Sequence, residues 1–340
     1  MRHPKCVFGC AGRSSREIRY GIRYLHKKFA IRSRNSKVRD SIVRGWKGRV
    51  GEVMGLEPST AVLLISCTDQ KGLVAEVSAF VYQHGGNIVH AEQHIDVPQN
   101  IFFHRVEWDL AGFAIPQEEI TDRFRPIAER FGMRWQLRFS RTRYRVAIFV
   151  SKYDHCLIDL LYRQRIRELR ADIVGVFSNH PDLEELVKPY GIPYFHFPIT
   201  AETKREQEKR ELELLDSLGA DLVVLARYMQ VLTPEFVERY PNRIINIHHS
   251  FLPSFIGKQP YRQAYERGVK LIGATSHYVT EDLDQGPIIE QDVARVTHRE
   301  TVEDMAAKGR DLERQVLGRA VRLHLLNRIL PYGRKTVVFD

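Results

Sequence analysis

Asn246-Ile247-His248 sets a side-chain amide and an imidazole two residues apart at the end of an apolar run. On an extended strand, positions i and i+2 share one face. Downstream, residues 273–279 read as a further strand, and Thr280-Glu281-Asp282-Leu283-Asp284-Gln285-Gly286-Pro287 reads as a polar loop able to bring a carboxylate back to that pair. An amide donor, an imidazole and a carboxylate suffice for attack on a carbonyl without a metal. The amide N–H₂ holds the developing oxyanion, and losing one such donor costs about 3–4 kcal/mol of transition-state stabilisation. The imidazole moves protons near neutral pH, worth roughly 10²–10⁴ in rate. The carboxylate orients the imidazole or a water. Spacing alone leaves a second reading open, in which His248 is structural.

The elements that must hold these groups alternate. Residues 144–151 form a continuous apolar strand, the pattern of a parallel sheet covered on both faces. A helix is expected over 155–169, then a strand over 173–177, a helix from Asp182, a strand over 194–197 and a highly charged helix over about 204–218. A strand over 222–225, a helix opening at Pro234-Glu235 and a strand over 244–247 follow. This order predicts a doubly wound α/β sheet, with ligands beyond the carboxyl ends of its strands. Two such ends stand out: the segment after Leu225, and Asn246 to His249. The first strand–helix junction, Ser151-Lys152-Tyr153-Asp154-His155-Cys156, contains no glycine. A phosphate cradle needs glycines for close backbone approach, so neither a dinucleotide fingerprint nor a phosphate-binding loop is present there. Cys156, at the start of a buried helix, reads as packing rather than as a nucleophile.

Upstream, residues 60–142 read as a separate small domain. A strand over 61–67 breaks at Asp69-Gln70-Lys71-Gly72, and a helix from Leu73 to His84 carries Leu73, Val77, Phe80 and Val81 at helical spacing. Strands over 87–96 and 101–110 flank a Pro98-Gln99-Asn100 turn. A helix from Ile115-Pro116 toward Gly132 and a strand over 135–139 complete a βαββαβ, ferredoxin-like order.

Thr68-Asp69-Gln70-Lys71-Gly72-Leu73-Val74-Ala75, followed by Gly86-Asn87-Ile88, resembles the ACT domain family. That resemblance implies effector contacts through Asp69, Gly72, Leu73 and Asn87 across a dimer interface, against the plainer reading that the glycines are turn chemistry and the domain only dimerises. Asn246-x-His248-x-Ser250-x-Leu252-Pro253, Gly273-Ala274-Thr275-x-His277 and Asp284-x-Gly286-Pro287-Ile288-Ile289 are similar to the folate-dependent formyltransferase fold, whose catalytic set falls here on Asn246, His248 and Asp284. Ser151-Lys152-x-x-His155-Cys156-Leu157-x-Asp159-Leu160-Leu161, Ser178-Asn179-His180 and His248-His249-Ser250-Phe251-Leu252-Pro253 narrow the resemblance to the formyltetrahydrofolate deformylase family, which joins an ACT domain to this catalytic domain in this order. It covers about residues 60–340, with 143–340 as the catalytic domain. It implies hydrolysis of 10-formyltetrahydrofolate to formate and tetrahydrofolate, formate supply for purine synthesis, and folate as substrate with no cofactor and no metal. It also implies a pterin pocket walled by Arg227, Tyr228, Met229, Val231 and Leu232 on one side and Val279, Thr280 and Glu281 on the other, with His249 close by and His277 structural. Formyl transfer to glycinamide ribonucleotide by the same three groups is the nearest alternative; the glycine-free junction and the ACT domain argue against it. Glycine and methionine are the effectors the resemblance suggests, and a homo-oligomer joined through ACT domains is expected.

The 340 residues hold 52 Lys and Arg against 42 Asp and Glu, for a net +10. Residues 1–50 hold 15 Lys and Arg against two acids, Glu17 and Asp40, so the remainder of the chain is slightly acidic. The basic excess belongs to a leader, residues 1–53, expected to be poorly ordered. Three readings compete for it: an extension upstream of a start at Met54; an organelle presequence with Ile18, Ile22, Leu25 and Phe29 on one helical face; and a nucleic-acid arm, disfavoured by the lack of interleaved aromatics. No nucleic-acid partner is therefore expected. A cytoplasmic protein follows, with a mitochondrial location as the alternative if the leader is a presequence. Four scattered cysteines suit a reducing compartment, Cys6 and Cys10 lack a second zinc-spaced pair, and no apolar run is long enough to span a membrane.

Overall fold

A computed structural model describes residues 59–254 and 259–339. The leader and the three readings of it, together with Cys6 and Cys10, lie outside the described residues.

The small domain is built as its residue pattern dictates. Strand β1 (Thr60–Thr68) alternates Ala61, Leu63, Ile65 and Cys67 toward one face. Helix α1 (Leu73–Gln83) buries Leu73, Val77, Phe80 and Val81 on that face. Gly72, at φ +94°, makes the left-handed turn into α1, a conformation glycine takes without Cβ strain. Strands β2 (Asn87–Asp96) and β3 (Ile101–Asp109) follow, then helix α2 (Ile120–Arg130) and strand β4 (Arg134–Phe139). The sheet order β2-β3-β1-β4 is antiparallel throughout, the ferredoxin-like plait. Helix α2 begins later than expected, because Pro116 is extended and a 3₁₀ turn at Gln117–Glu119 comes first.

The larger domain starts at β5 (Tyr144–Val150). Its successive residues face opposite sides: Val146, Ile148 and Val150 enter one apolar cluster, while Ala147 and Phe149 enter another. Then come α3 (His155–Arg165), β6 (Ala171–Ser178), α4 (Glu184–Val187), β7 (Tyr194–His196), α5 (Lys204–Ser217), β8 (Leu222–Leu225), α6 (Pro234–Arg239) and β9 (Ile244–His248). Strands β5 to β9 are parallel, as expected. The helix at 155 stops at Arg165, short of Leu169, where Arg167 turns left-handed at φ +64°. The helix expected from Asp182 is only the single turn α4.

Beyond β9 lie α7 (Pro260–Arg267), β10 (Leu271–Tyr278), β11 (Ile288–Arg295), α8 (Val302–Leu325) and a hairpin of β12 (Ile329–Tyr332) and β13 (Lys335–Val338). Strands β10 and β11 run antiparallel, so the seven-stranded sheet β11-β10-β9-β8-β5-β6-β7 is mixed. Helix α8, capped by a Thr301–Asp304 box, lies on the sheet through Met305, Leu312, Val316, Leu317, Ala320 and Val321. The hairpin then returns to the small domain. Leu330, Val337 and Phe339 pack on Leu64 and Phe103, on the sheet face away from α1 and α2. Arg105 of β3 seals the junction: its guanidinium donates to the carbonyls of Leu326 and Asn327, just past the C-terminus of α8, where a cation is favoured. No helix among the described residues is long and apolar enough to cross a membrane.

Candidate active site

Asn246 and His248 share a face near the end of β9. The antiparallel register of β10 then sets His277 opposite Asn246 and Thr275 opposite His248. After β10 the chain loops out and returns, with the Tyr278 amide donating to the Pro287 carbonyl at 2.9 Å. Gly286 permits that return, since a Cβ there would lie 1.7 Å from the Tyr278 carbonyl oxygen. Asp284, left-handed at φ +57°, is thereby turned between two imidazoles. Its Oδ2 lies 3.3 Å from His248 Nδ1 and its Oδ1 3.6 Å from His277 Nε2.

These contacts set the proton positions. His277 Nδ1 lies 2.9 Å from the Tyr278 carbonyl, so it carries the hydrogen. In the neutral ring, His277 Nε2 is then an acceptor, and Asn246 Nδ2 donates to it at 3.2 Å. That bond turns the Asn246 amide so that one N–H is held and the other is left for a ligand. His248 Nδ1 faces the Asp284 carboxylate, which leaves the His248 Nε2 lone pair as the reactive position; Nε2 is buried without a protein partner. Burial alone would raise the Asp284 carboxyl, but the hydrogen bond and charge from His248 outweigh it and hold the group well below the usual carboxylate range. Burial, reinforced by the Arg227 charge, pushes His249 down to about 4, so this second imidazole is neutral at pH 7.

A cavity of about 370 Å³ opens over these groups. Asn246, His248 and Asp284 line it, together with His249, with Arg227, Tyr228, Met229, Val231 and Leu232 after β8, and with Val279, Thr280 and Glu281 after β10. The individual side chains differ. Met229 and Val231 are exposed at the rim, an apolar edge suited to a flat ring system. Tyr228 is buried, its ring 5.3 Å from that of Phe149, so it contributes backbone to the wall. Leu232 is buried in the same core. Arg227 is left-handed at φ +63° and turns its guanidinium over Tyr153, at 5.1 Å, toward Glu313, at 3.4 Å. Ser151 ties the strand ends together: its amide donates to the Arg227 carbonyl, its hydroxyl donates to Asn179 Oδ1, and the hydroxyl oxygen accepts from the Met229 amide.

Glu313 escaped the sequence reading, since it lies on α8, which was not expected. It is 1% exposed and accepts from His155 Nε2 and the Tyr261 hydroxyl, at 2.8 and 2.7 Å. His155, Cys156 and Glu313 are close enough together to hold a metal ion. The donor set argues otherwise: the carboxylate is already engaged, a guanidinium stands beside it, and burial, with Glu313 adding to it, pushes the Cys156 thiol well up. Cys156, 1% exposed, is packing.

The positions expected to contact an effector are not brought together within one chain. Asp69, Gly72 and Leu73 stand at the start of α1 and Asn87 beyond its end, about 16 Å of helix away. Leu73 is 2% exposed and belongs to the core, whereas Asn87 is exposed. A larger cavity, about 530 Å³, lies between the small domain's sheet and the C-terminal hairpin, away from the imidazoles.

Residues 144–321 match the formyl transferase family and residues 61–129 the ACT domain family. The chain is 55% identical over 280 residues to a formyltetrahydrofolate deformylase from Synechocystis sp., covering 82% of this chain and 98% of that protein. It is 45% identical to the Escherichia coli formyltetrahydrofolate deformylase over 82% of this chain and 97% of that protein. The crystal structure of a formyltetrahydrofolate deformylase from Pseudomonas syringae superimposes with a TM-score of 0.83 at 46% identity, over 87% of this chain and 99% of that one. A glycinamide ribonucleotide transformylase from Symbiobacterium toebii matches less of the chain, 60%, with a TM-score of 0.56 at 31% identity. Two domains in the same order, and identity sustained across nearly the whole length of such relatives, place this one: the chain belongs to the formyltetrahydrofolate deformylase family.

Proposed function

We propose that this chain hydrolyses 10-formyltetrahydrofolate to formate and tetrahydrofolate, with Asn246, His248 and Asp284 as its catalytic residues. Family membership supports the reaction. The observation that carries the site assignment is the pairing of His248 Nδ1 with Asp284, which leaves Nε2 as an unpaired base in the cavity. The free Asn246 N–H takes the formyl oxygen. His248 Nε2 accepts a proton from water as its oxygen bonds to the formyl carbon, and Asp284 stabilises the imidazolium. The tetrahedral intermediate collapses as the carbon–nitrogen bond breaks, and His248 returns its proton to the folate nitrogen. Formate and tetrahydrofolate leave. No cofactor or metal enters this scheme; folate is substrate, held between the 227–232 and 279–281 walls.

The same reading makes the ACT domain the means of assembly and of amino-acid control, with glycine and methionine as the effectors to try. Val89 and Ile95, exposed on the edge strand β2, support a contact between subunits. We place the enzyme in the cytoplasm. Incubation with 10-formyltetrahydrofolate and no amine acceptor is expected to release formate at a steady rate, and His248→Ala to lower that rate by about 10²–10⁴-fold. No formate without an amine acceptor, and a formylated amine when one is supplied, overturns the hydrolase reading.

A further inference from the structure

Behind the wall formed by residues 228–233 lie two carboxylates inside the protein. Glu208 and Glu211 stand about one turn apart on α5 and are 2% and 0% exposed. Glu208 Oε2 accepts from the Thr233 amide, at 3.0 Å, and from the Thr233 hydroxyl. Lys204 Nζ lies 3.8 Å from Glu208 Oε1 and donates to the Val231 carbonyl. Glu211 Oε1 accepts from the Tyr228 hydroxyl at 3.4 Å. The other oxygen of each carboxylate, Glu208 Oε1 and Glu211 Oε2, is buried with no hydrogen-bond donor. Ionised carboxylates only accept, so two of them buried one helical turn apart leave both oxygens unmatched and repel each other. A single proton satisfies both.

The partners decide where it sits. Glu208 has a cation and two Thr233 donors, whereas Glu211 has one phenol. The titratable groups facing Glu211 are Glu208 and, beyond it, Lys204 on its own helix, and Tyr228 from the segment after β8. Burial, with the Glu208 charge adding to it, pushes Glu211 up to about 8.

We propose that Glu211 keeps its proton at neutral pH and donates it to Glu208, and that this acid–carboxylate pair positions the 228–233 wall of the folate pocket. The pair and Lys204 grip the wall at Tyr228, Val231 and Thr233 while touching no reacting atom, so they are positioning residues. Their role in folate binding rests on the deformylase reading above; the shared proton does not. When Glu211 ionises, two like charges meet in the core and the wall loosens, which moves KM and leaves kcat to follow the His248–Asp284 pair.

Infrared difference spectroscopy on the full chain tests the proton without substrate. A protonated-carboxyl band is expected at pH 7, lost with a midpoint near pH 8. Glu211→Gln abolishes it. In Glu208→Gln, which removes the neighbouring charge, the midpoint falls. Steady-state kinetics test the positioning. Wild-type KM for 10-formyltetrahydrofolate rises several-fold between pH 7 and roughly pH 9 as the carboxyl titrates. Glu211→Gln, which keeps a neutral hydrogen-bonding side chain, rescues KM across that range, while Glu208→Ala raises KM at pH 7 by about tenfold with kcat held within about twofold. An active enzyme without the band, or with the same KM profile in wild type and Glu211→Gln, overturns the proposal. A folded protein with the band but no formate release overturns the deformylase reading and leaves the proton pair standing.

Discussion

Asp284 lies between two imidazoles, and its depressed pKa follows from its pairing with His248. Replacing it with Asn keeps the shape but removes the charge that stabilises a His248 imidazolium, and the amide no longer dictates which ring nitrogen carries the hydrogen. Turnover in Asp284→Asn is expected to fall by roughly 10²–10⁴-fold with circular dichroism unchanged; wild-type formate release would reject the residue's role. A carboxyl held below its unfolded value lends stability above that value and loses it as pH falls through the native one. The stability difference between wild type and Asp284→Asn in urea melts is therefore expected to be full at neutral pH and to shrink below about pH 4. Asn246 and His248 were legible because a strand's two-residue period places them on one face. His277 as the bridge between Asn246 and Asp284 was not, since its position depends on the register of β10 against β9. Glu208 and Glu211 were less legible still. The run Lys204-Arg205-Glu206-Gln207-Glu208-Lys209-Arg210-Glu211 reads as a charged helix, and only the core around Tyr228 makes its inner face dry.

At the scale of elements, the return loop from Val279 to Pro287 decides whether a site exists at all. Its closure rests on Gly286, where a methyl group would collide with the Tyr278 backbone rather than with a movable side chain. Gly286→Ala is expected to shift the loop, draw Asp284 away from His248 and lower kcat by at least about 10²-fold, since misplacement near 1 Å carries that effect. A crystal structure of the variant with Asp284 still within reach of His248 would refute this account. The strand–helix alternation over 144–247 was readable because β5, β8 and β9 are short apolar runs between helical stretches. Helix α8 went unread although Thr301 and Asp304 form a capping box and Leu312, Val316 and Ala320 recur at helical spacing. Arginines and acids interrupt that stripe, and its partners, β9 to β11 and α3, lie far away in sequence. The left-handed Arg227, which opens the wall with its guanidinium turned toward Glu313, has no signature at all in a run of Leu-Ala-Arg-Tyr.

For the molecule as a whole, the two domains share a layer. The C-terminal hairpin covers Leu64 and Phe103 of the small domain, while Thr336 donates to the Ile288 carbonyl at 2.6 Å in the larger one. Phe339, fully buried, is the last side chain of this layer. Phe339→Ala is expected to cost about 3–5 kcal/mol in urea unfolding, with little change in kcat for the folded fraction, because the imidazoles lie elsewhere. A stability loss below about 1 kcal/mol would mean the hairpin does not hold the small domain.

That layer also fixes an order of events during synthesis. The small domain is made before the larger one, yet one face of its sheet stays bare until residues 329–339 arrive to cover it. Phe103 and Leu64 meet solvent, or a chaperone, throughout translation of everything between. Loss of the hairpin of β12 and β13 would therefore spoil the small domain rather than the larger one.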